Sequence, residues 1–162
     1  MLPKTIVGYS IADIEYYRMM LAWRGKECID FHFTDCGLAQ ESNLTDGEHI
    51  KALVRQRIGA GDKYAFLIGE DTWFRYPHVH WEAEVALAQG CTVIGVNLNG
   101  ARRIVERTCP PALMNVGAVF VPFSPRILAY ALVNYRMRER GNWHFPDEVY
   151  RQLGYDNIKY GL

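Results

Sequence analysis

Tyr64-Ala65-Phe66-Leu67-Ile68 is a run of apolar residues with no polar alternation. A strand with one wet face alternates between apolar and polar side chains. A strand covered on both faces has no reason to. The run therefore predicts a central parallel strand with helices above and below. Outward from it, Val79 to Gln89 reads as a helix stopped by Gly90, and Thr92 to Val96 is a second continuous apolar strand. Strand, helix and strand in this order make the right-handed crossover unit of a parallel sheet.

The rest of the chain extends the same alternation. Thr5 to Ser10 is a first strand, with Ser10 as helix cap and Asp13 as the weaker partner of a capping box. Ile14, Tyr17 and Leu21 then mark one helix face, and Gly25 marks its end. Ile29, Phe31 and Phe33 alternate with Asp30, His32 and Thr34, the pattern of a half-buried strand at or near an edge. Thr45 and Glu48 spell a second capping box before the apolar face of Ile50, Leu53, Val54 and Ile58. Ala118 to Val121 is a fifth strand, and Ser124-Pro125 starts the helix that turns Leu128, Ala131, Leu132 and Tyr135 inward. The prediction is a three-layer α/β fold with five parallel strands in the flavodoxin-like order 2-1-3-4-5. Residues 1–137 form the domain. Residues 138–162 form an extension carrying Trp143, Phe145, Tyr150, Tyr155 and Tyr160, too aromatic for a free linker, which is expected to pack on the domain or on a partner.

Composition narrows the function classes. The 162 residues are 49% hydrophobic and 22% charged, enough to bury a core and stay in solution. Lysine plus arginine and aspartate plus glutamate both total 18. A balanced charge argues against nucleic acid as a partner and gives no pull toward an anionic membrane. No run approaches the roughly 20 apolar residues of a membrane span. Met1-Leu2-Pro3-Lys4 does not resemble a signal peptide, and Cys28, Cys36, Cys91 and Cys109 hold no CxxC pair. The expected location is the cytoplasm, with reduced thiols.

In such a sheet a ligand sits outside the carboxyl ends of the strands, where strand order reverses. That point lies between strands one and three. It gathers Tyr9 and Ser10, Gly69 to Thr72, and the start of the helix His78-Val79-His80-Trp81-Glu82-Ala83-Glu84. Val79, Ala83 and Ala86 form its core stripe, and Glu82 falls on the adjacent stripe with His78 and Val85, at the flank of the crevice. Trp81 is placed to exclude water. Glu84 points roughly the other way. An arbitrary glutamate is a solvated surface acid, and position is what raises Glu82 above that reading. Asp35, ending strand two, either reaches the crevice or forms a turn. The histidines lack the convergence of a zinc site, so no metal is expected.

The Ile6-Val7-Gly8-Tyr9-Ser10 strand, the Val79-His80-Trp81-Glu82 segment followed by Ala86-Leu87, and Val93-Ile94-Gly95-Val96-Asn97-Leu98-Asn99-Gly100 together resemble the TIR-like family. This family includes the TIR-like proteins of bacterial Thoeris antiphage defence. The resemblance implies NAD as substrate rather than cofactor, and Glu82 as the catalytic glutamate. Tyr9, Ser10, Asp35, His78 and Trp81 are the accompanying candidates for substrate binding. Many relatives carry tryptophan four residues before the glutamate. His78 stands there instead, which keeps Glu84 as second choice. The resemblance also implies an ADP-ribose-derived signalling nucleotide, cyclic if water is kept out, and a separate effector that responds to it. A homo-oligomer and a phage-derived activator complete the expected partners.

One carboxylate suffices for this chemistry. Most glycosidases need a second carboxyl to protonate the leaving group, whereas nicotinamide leaves NAD as a neutral molecule. Rival folds fit less well. A receiver domain needs an acidic cluster after strand one, where this chain has Tyr9-Ser10, and a flavodoxin needs a phosphate-cradling loop that Ser10-Ile11-Ala12-Asp13 does not supply. A non-catalytic TIR-like adaptor that works by self-association remains the alternative, since fold alone does not settle function.

Overall fold

The computed structural model describes residues 4–23, 32–36, 46–72 and 77–155. Among these, the strands are β1 (Thr5–Gly8), β2 (Phe33–Thr34), β3 (Lys63–Ile68), β4 (Thr92–Asn97) and β5 (Val119–Pro122). The helices are α1 (Ile14–Trp23), α2 (Gly47–Arg57), α3 (Pro77–Ala88), α4 (Pro125–Asn134) and the short α5 (Asp147–Gln152). The strands form one sheet in the order β2-β1-β3-β4-β5, and every pairing is parallel. This is the order that the alternation of strands and helices predicts. β2 stands at the edge, and β3 is central and buried on both faces.

Successive side chains of each strand feed two cores. Ile6, Tyr64, Phe66, Ile68 and Phe120 face α2 and α3 on one side. Val7, Ala65, Leu67, Val96 and Val121 face α1, α4 and Tyr150 on the other. A continuous apolar strand is what this double coverage requires.

Local departures have physical causes. On α1 the buried residue is Met20, while Leu21 is 46% exposed. The predicted face holds at Ile14 and Tyr17, which pack against the second core, and fails at Leu21, while Tyr16 and Trp23 join the packing by reaching the Phe123 ring, at 5.0 and 4.8 Å. On α2 the cap is Asp46, whose side chain accepts from the Glu48 N–H at 3.1 Å. The Thr45 half of the predicted box lies outside the described residues, as do Gly25, Ile29 and Phe31. Neither Ser10 nor Ser124 caps with its side chain. Ser10 Oγ donates instead to Asp13 Oδ2 at 3.1 Å, and Ser124 Oγ bonds the Tyr155 hydroxyl.

Beyond α4 the chain returns to the sheet. The Phe120 N–H donates to the Trp143 carbonyl at 2.8 Å, and the Trp143 N–H donates to the Ala118 carbonyl at 3.0 Å. A one-residue parallel bridge thus covers the outer edge of β5. Tyr150 is buried against the second core. No helix among the described residues is long and apolar enough to cross a membrane.

Candidate active site

α3 buries Val79, Glu82, Ala83, Val85 and Ala86. Four of these are what a helix packed on a sheet should bury. The fifth is a carboxylic acid that is 3% exposed. Glu82 was expected at the flank of the crevice and lies deeper, inside the core between α3 and β3. Its partner is Tyr64, whose hydroxyl donates to Glu82 Oε1 at 2.5 Å. Cys36 Sγ is 3.6 Å from the same hydroxyl.

Burial dominates the electrostatics. Removing water from around the carboxylate pushes the Glu82 pKa up to about 8. The Tyr64 hydrogen bond opposes this by favouring the charged form, and the negative charge of Asp35 adds to the rise. Tyr64 is pushed well above the ordinary phenol range by its own burial and then by Glu82.

Tyr9, Asp35 and His78 meet beside this pair. The Tyr9 hydroxyl donates to Asp35 Oδ2 at 2.5 Å, and its ring stacks on Tyr17 with centroids 4.7 Å apart. His78 Nε2 lies 3.2 Å from the Tyr9 carbonyl. This ties the first turn of α3 to the end of β1. Burial holds the His78 pKa below its ordinary value, so the ring is neutral near pH 7 and its Nε2–H is the donor to that carbonyl.

A cavity of about 350 Å³ opens at the carboxyl ends of β1, β3 and β4. Ser10, Asp13, Tyr16, Gly69, Asp71 and Asn99 are among its walls. Asp13 clasps it, accepting from Ser10 Oγ at 3.1 Å and from Thr72 Oγ1 at 3.4 Å. The clasp needs Gly69, because a β-carbon there would come within 2.6 Å of Asp13 Oδ2. Ser10 therefore lines the cavity at the strand reversal, whereas Glu82 is not one of its walls among the described residues. The carboxyl sits behind the crevice, in the layer formed by Tyr9, Asp35 and Tyr64.

The family model of the TIR-like domain of the Thoeris protein ThsB matches residues 7–103, more than half of the chain. The chain belongs to this family. No curated protein is similar enough to count as a match. Tyr9, Ser10, Asp35, Tyr64, His78 and Glu82 all lie within the family's matched stretch, while α4 and the C-terminal extension fall beyond it.

The structure separates the sequence-derived candidates. Tyr9, Asp35, His78 and Glu82 come together, and Ser10 follows directly into the cavity wall. Trp81 does not join them. Its indole packs on α2, where a β-carbon at Gly47 would come within 2.6 Å of the ring. One residue of helix turns Trp81 about 100° from Glu82, so it serves the α2–α3 contact rather than the crevice. Glu84 is turned away as well. It is 42% exposed and pairs with Lys51 at 2.6 Å and His80 at 2.8 Å. The Lys51 hydrogen bond, and then the charge of Lys51 and the contact with His80, hold its carboxyl below the ordinary range. Sequence reasoning missed Tyr64, although a signal was present. A hydroxyl set into a continuous apolar strand must find a buried partner.

Proposed function

We propose that this protein cleaves NAD at the bond between nicotinamide and ribose, with Glu82 as the reacting carboxyl. The observation that carries the reading is Glu82 itself, an acid 3% exposed whose pKa is pushed up to about 8. Strongly perturbed carboxyls cluster at functional sites, and this one lies beside the strand reversal where a ligand is expected. Membership of the TIR-like family supports the choice of substrate.

In the proposed step the C1′–N1 bond of NAD breaks and its electron pair leaves with nicotinamide, which becomes neutral. The ribose C1′ becomes an oxocarbenium ion, and the ionised Glu82 carboxylate opposes that positive charge. The nicotinamide ring of bound NAD is cationic, so its approach favours the ionised form that burial disfavours. A ribose hydroxyl of the same nucleotide, releasing its proton to solvent, or an adenine ring nitrogen, using its lone pair, then attacks C1′ and gives a cyclic ADP-ribose isomer. Water in the same position gives linear ADP-ribose. Exclusion of water favours cyclisation, and the enclosure of Glu82 supports it. The product acts as a signal read by a separate effector. A homo-oligomer formed in the cytoplasm in response to a phage-derived activator is the working state.

The second reading is a non-catalytic module that works by self-association. The enclosure of Glu82 favours it to this extent: a carboxyl 3% exposed meets a substrate only after its cover moves. One assay separates the two. Purified protein is incubated with NAD, with and without a candidate activator, and nicotinamide is followed by chromatography. The expected result is release by the wild type and by Glu84→Gln, with little from Glu82→Gln. Undiminished release by Glu82→Gln overturns the assignment, and no release in any assembly state selects the adaptor. Mass spectrometry of the product distinguishes cyclisation from hydrolysis.

A further inference from the structure

The proposed step asks one carboxyl to aim an oxygen at the ribose and to carry charge in a buried place. Tyr64 bears on both demands. Its ring stacks on Phe66 with centroids 4.4 Å apart and planes 10° apart. Gly8 of β1 leaves the room for this pair, since a β-carbon there would come within 2.7 Å of Phe66 and 3.1 Å of Tyr64. Tyr64 is fully enclosed. A ring fixed in this way leaves its hydroxyl few positions, and in the one it takes it donates to Glu82 Oε1. In a water-poor interior a short hydrogen bond to a carboxylate is strong and directional. No hydrogen bond to Glu82 Oε2 is present among the described residues.

We propose that Tyr64 is a positioning residue of this site, its hydroxyl pinning Oε1 of Glu82 so that Oε2 is the oxygen presented to the ribose. The inference rests on the reading of Glu82 given above. The surroundings leave Tyr64 a distinct electrostatic part. Asp35, after β2, pushes Glu82 toward its neutral form. Cys36, beside it, is pushed up to about 11 and stays a neutral thiol, and the Cys36 carbonyl accepts from Arg57 of α2. Burial and Asp35 raise the Tyr9 phenol at the end of β1, which is neutral too. His78, one turn earlier on α3, is neutral near pH 7. The α2 face toward α3 is otherwise built from Ile50 and Val54, and Lys51 is drawn outward to Glu84. Among the described residues, the Tyr64 hydroxyl is the influence on Glu82 that favours its charge.

Tyr64→Phe removes the hydroxyl and keeps the ring, the stack and nearly all the volume. Two readouts apply. The titration of Glu82 is followed by carbon NMR of labelled glutamate in the ligand-free protein, and kcat and KM for NAD are measured against pH. Loss of the hydroxyl is expected to move the Glu82 midpoint upward by about one pH unit. The kcat/KM profile moves with it, and kcat at pH 7.5 falls by about tenfold with KM little changed. A second variant carries 3-fluorotyrosine at position 64 alone. Its more acidic phenol is a stronger donor, so the midpoint moves downward. These opposite shifts are the expected signature, and the fluorinated protein decides the matter by itself if Tyr64→Phe does not fold. Titration and kcat unmoved by the substitution overturn the proposal and leave NAD cleavage standing. A moving midpoint in a protein that releases no nicotinamide sinks the NAD reading, and with it the role of Tyr64 in catalysis.

Discussion

Helix α3 carries two glutamates two residues apart, one on the side facing the sheet and one on the side facing α2 and solvent. Among the described residues Glu82 has a single neutral donor, it meets almost no water, and its pKa rises to about 8. Glu84 has a lysine, a histidine and open solvent, and its pKa falls below the ordinary value. The same side chain is driven in opposite directions by a rotation of about 200° around one helix axis. The difference teaches that the chemical potential of a carboxyl here depends on which layer it faces.

The largest expected effect is on stability. The folded state holds Glu82's proton up to about pH 8, whereas the unfolded chain releases it near 4.5. The stability this contributes is full below about pH 4.5 and is lost as pH rises through about 8. It is worth roughly 5 kcal/mol across that window. Glu82→Gln removes the titration but keeps an acceptor for Tyr64. Urea unfolding at pH 5.5 and 8.5 should show the wild type weakening more with pH than the variant. Equal slopes break the contrast between the two faces.

Next comes catalysis. Glu82→Gln is expected to lower kcat for nicotinamide release by about a hundredfold or more, and in the wild type kcat/KM should climb through pH 8 as the carboxyl ionises in the free enzyme.

A smaller effect concerns the outer face. Trp81→Ala deletes a partly buried indole from the α2–α3 contact and should cost about 2 kcal/mol in chemical denaturation. The Glu82 titration should stay in place. A Trp81 variant that raises KM steeply with stability intact would return the indole to the substrate site.

The smallest effect is at Glu84. Its ion pairs are surface pairs, so Glu84→Gln should shift the thermal midpoint by no more than about 2 °C and leave nicotinamide release unchanged.

Much of the fold was legible because it rests on local pattern. The apolar run at Tyr64 to Ile68, the alternation of strands with helices and the Gly90 stop all depend on near neighbours in the chain. Strand reversal between β1 and β3 then located Tyr9, Ser10 and the start of α3 with no knowledge of side-chain contacts. On α1, Ile14 and Tyr17 pack against the core as their spacing predicts, but Leu21 does not, because Tyr16, Met20 and Trp23 satisfy helical spacing too. Phe123, a hundred residues on, draws Tyr16 and Trp23 in. The packing of Trp81 was not legible for a similar reason, since its indole rests on Gly47 of a different helix.

The sequence by itself determined the three-layer fold, the strand order and the family motif that favours Glu82. Period and composition carry that information, and burial of apolar surface enforces it. Only the tertiary structure decided that Glu82 is enclosed while Glu84 is not, and that Tyr64 is the group bonded to it. Helical period says which residues share a face. What stands across from that face comes from β2 and β3, 18 or more positions away, and is set when the layers close.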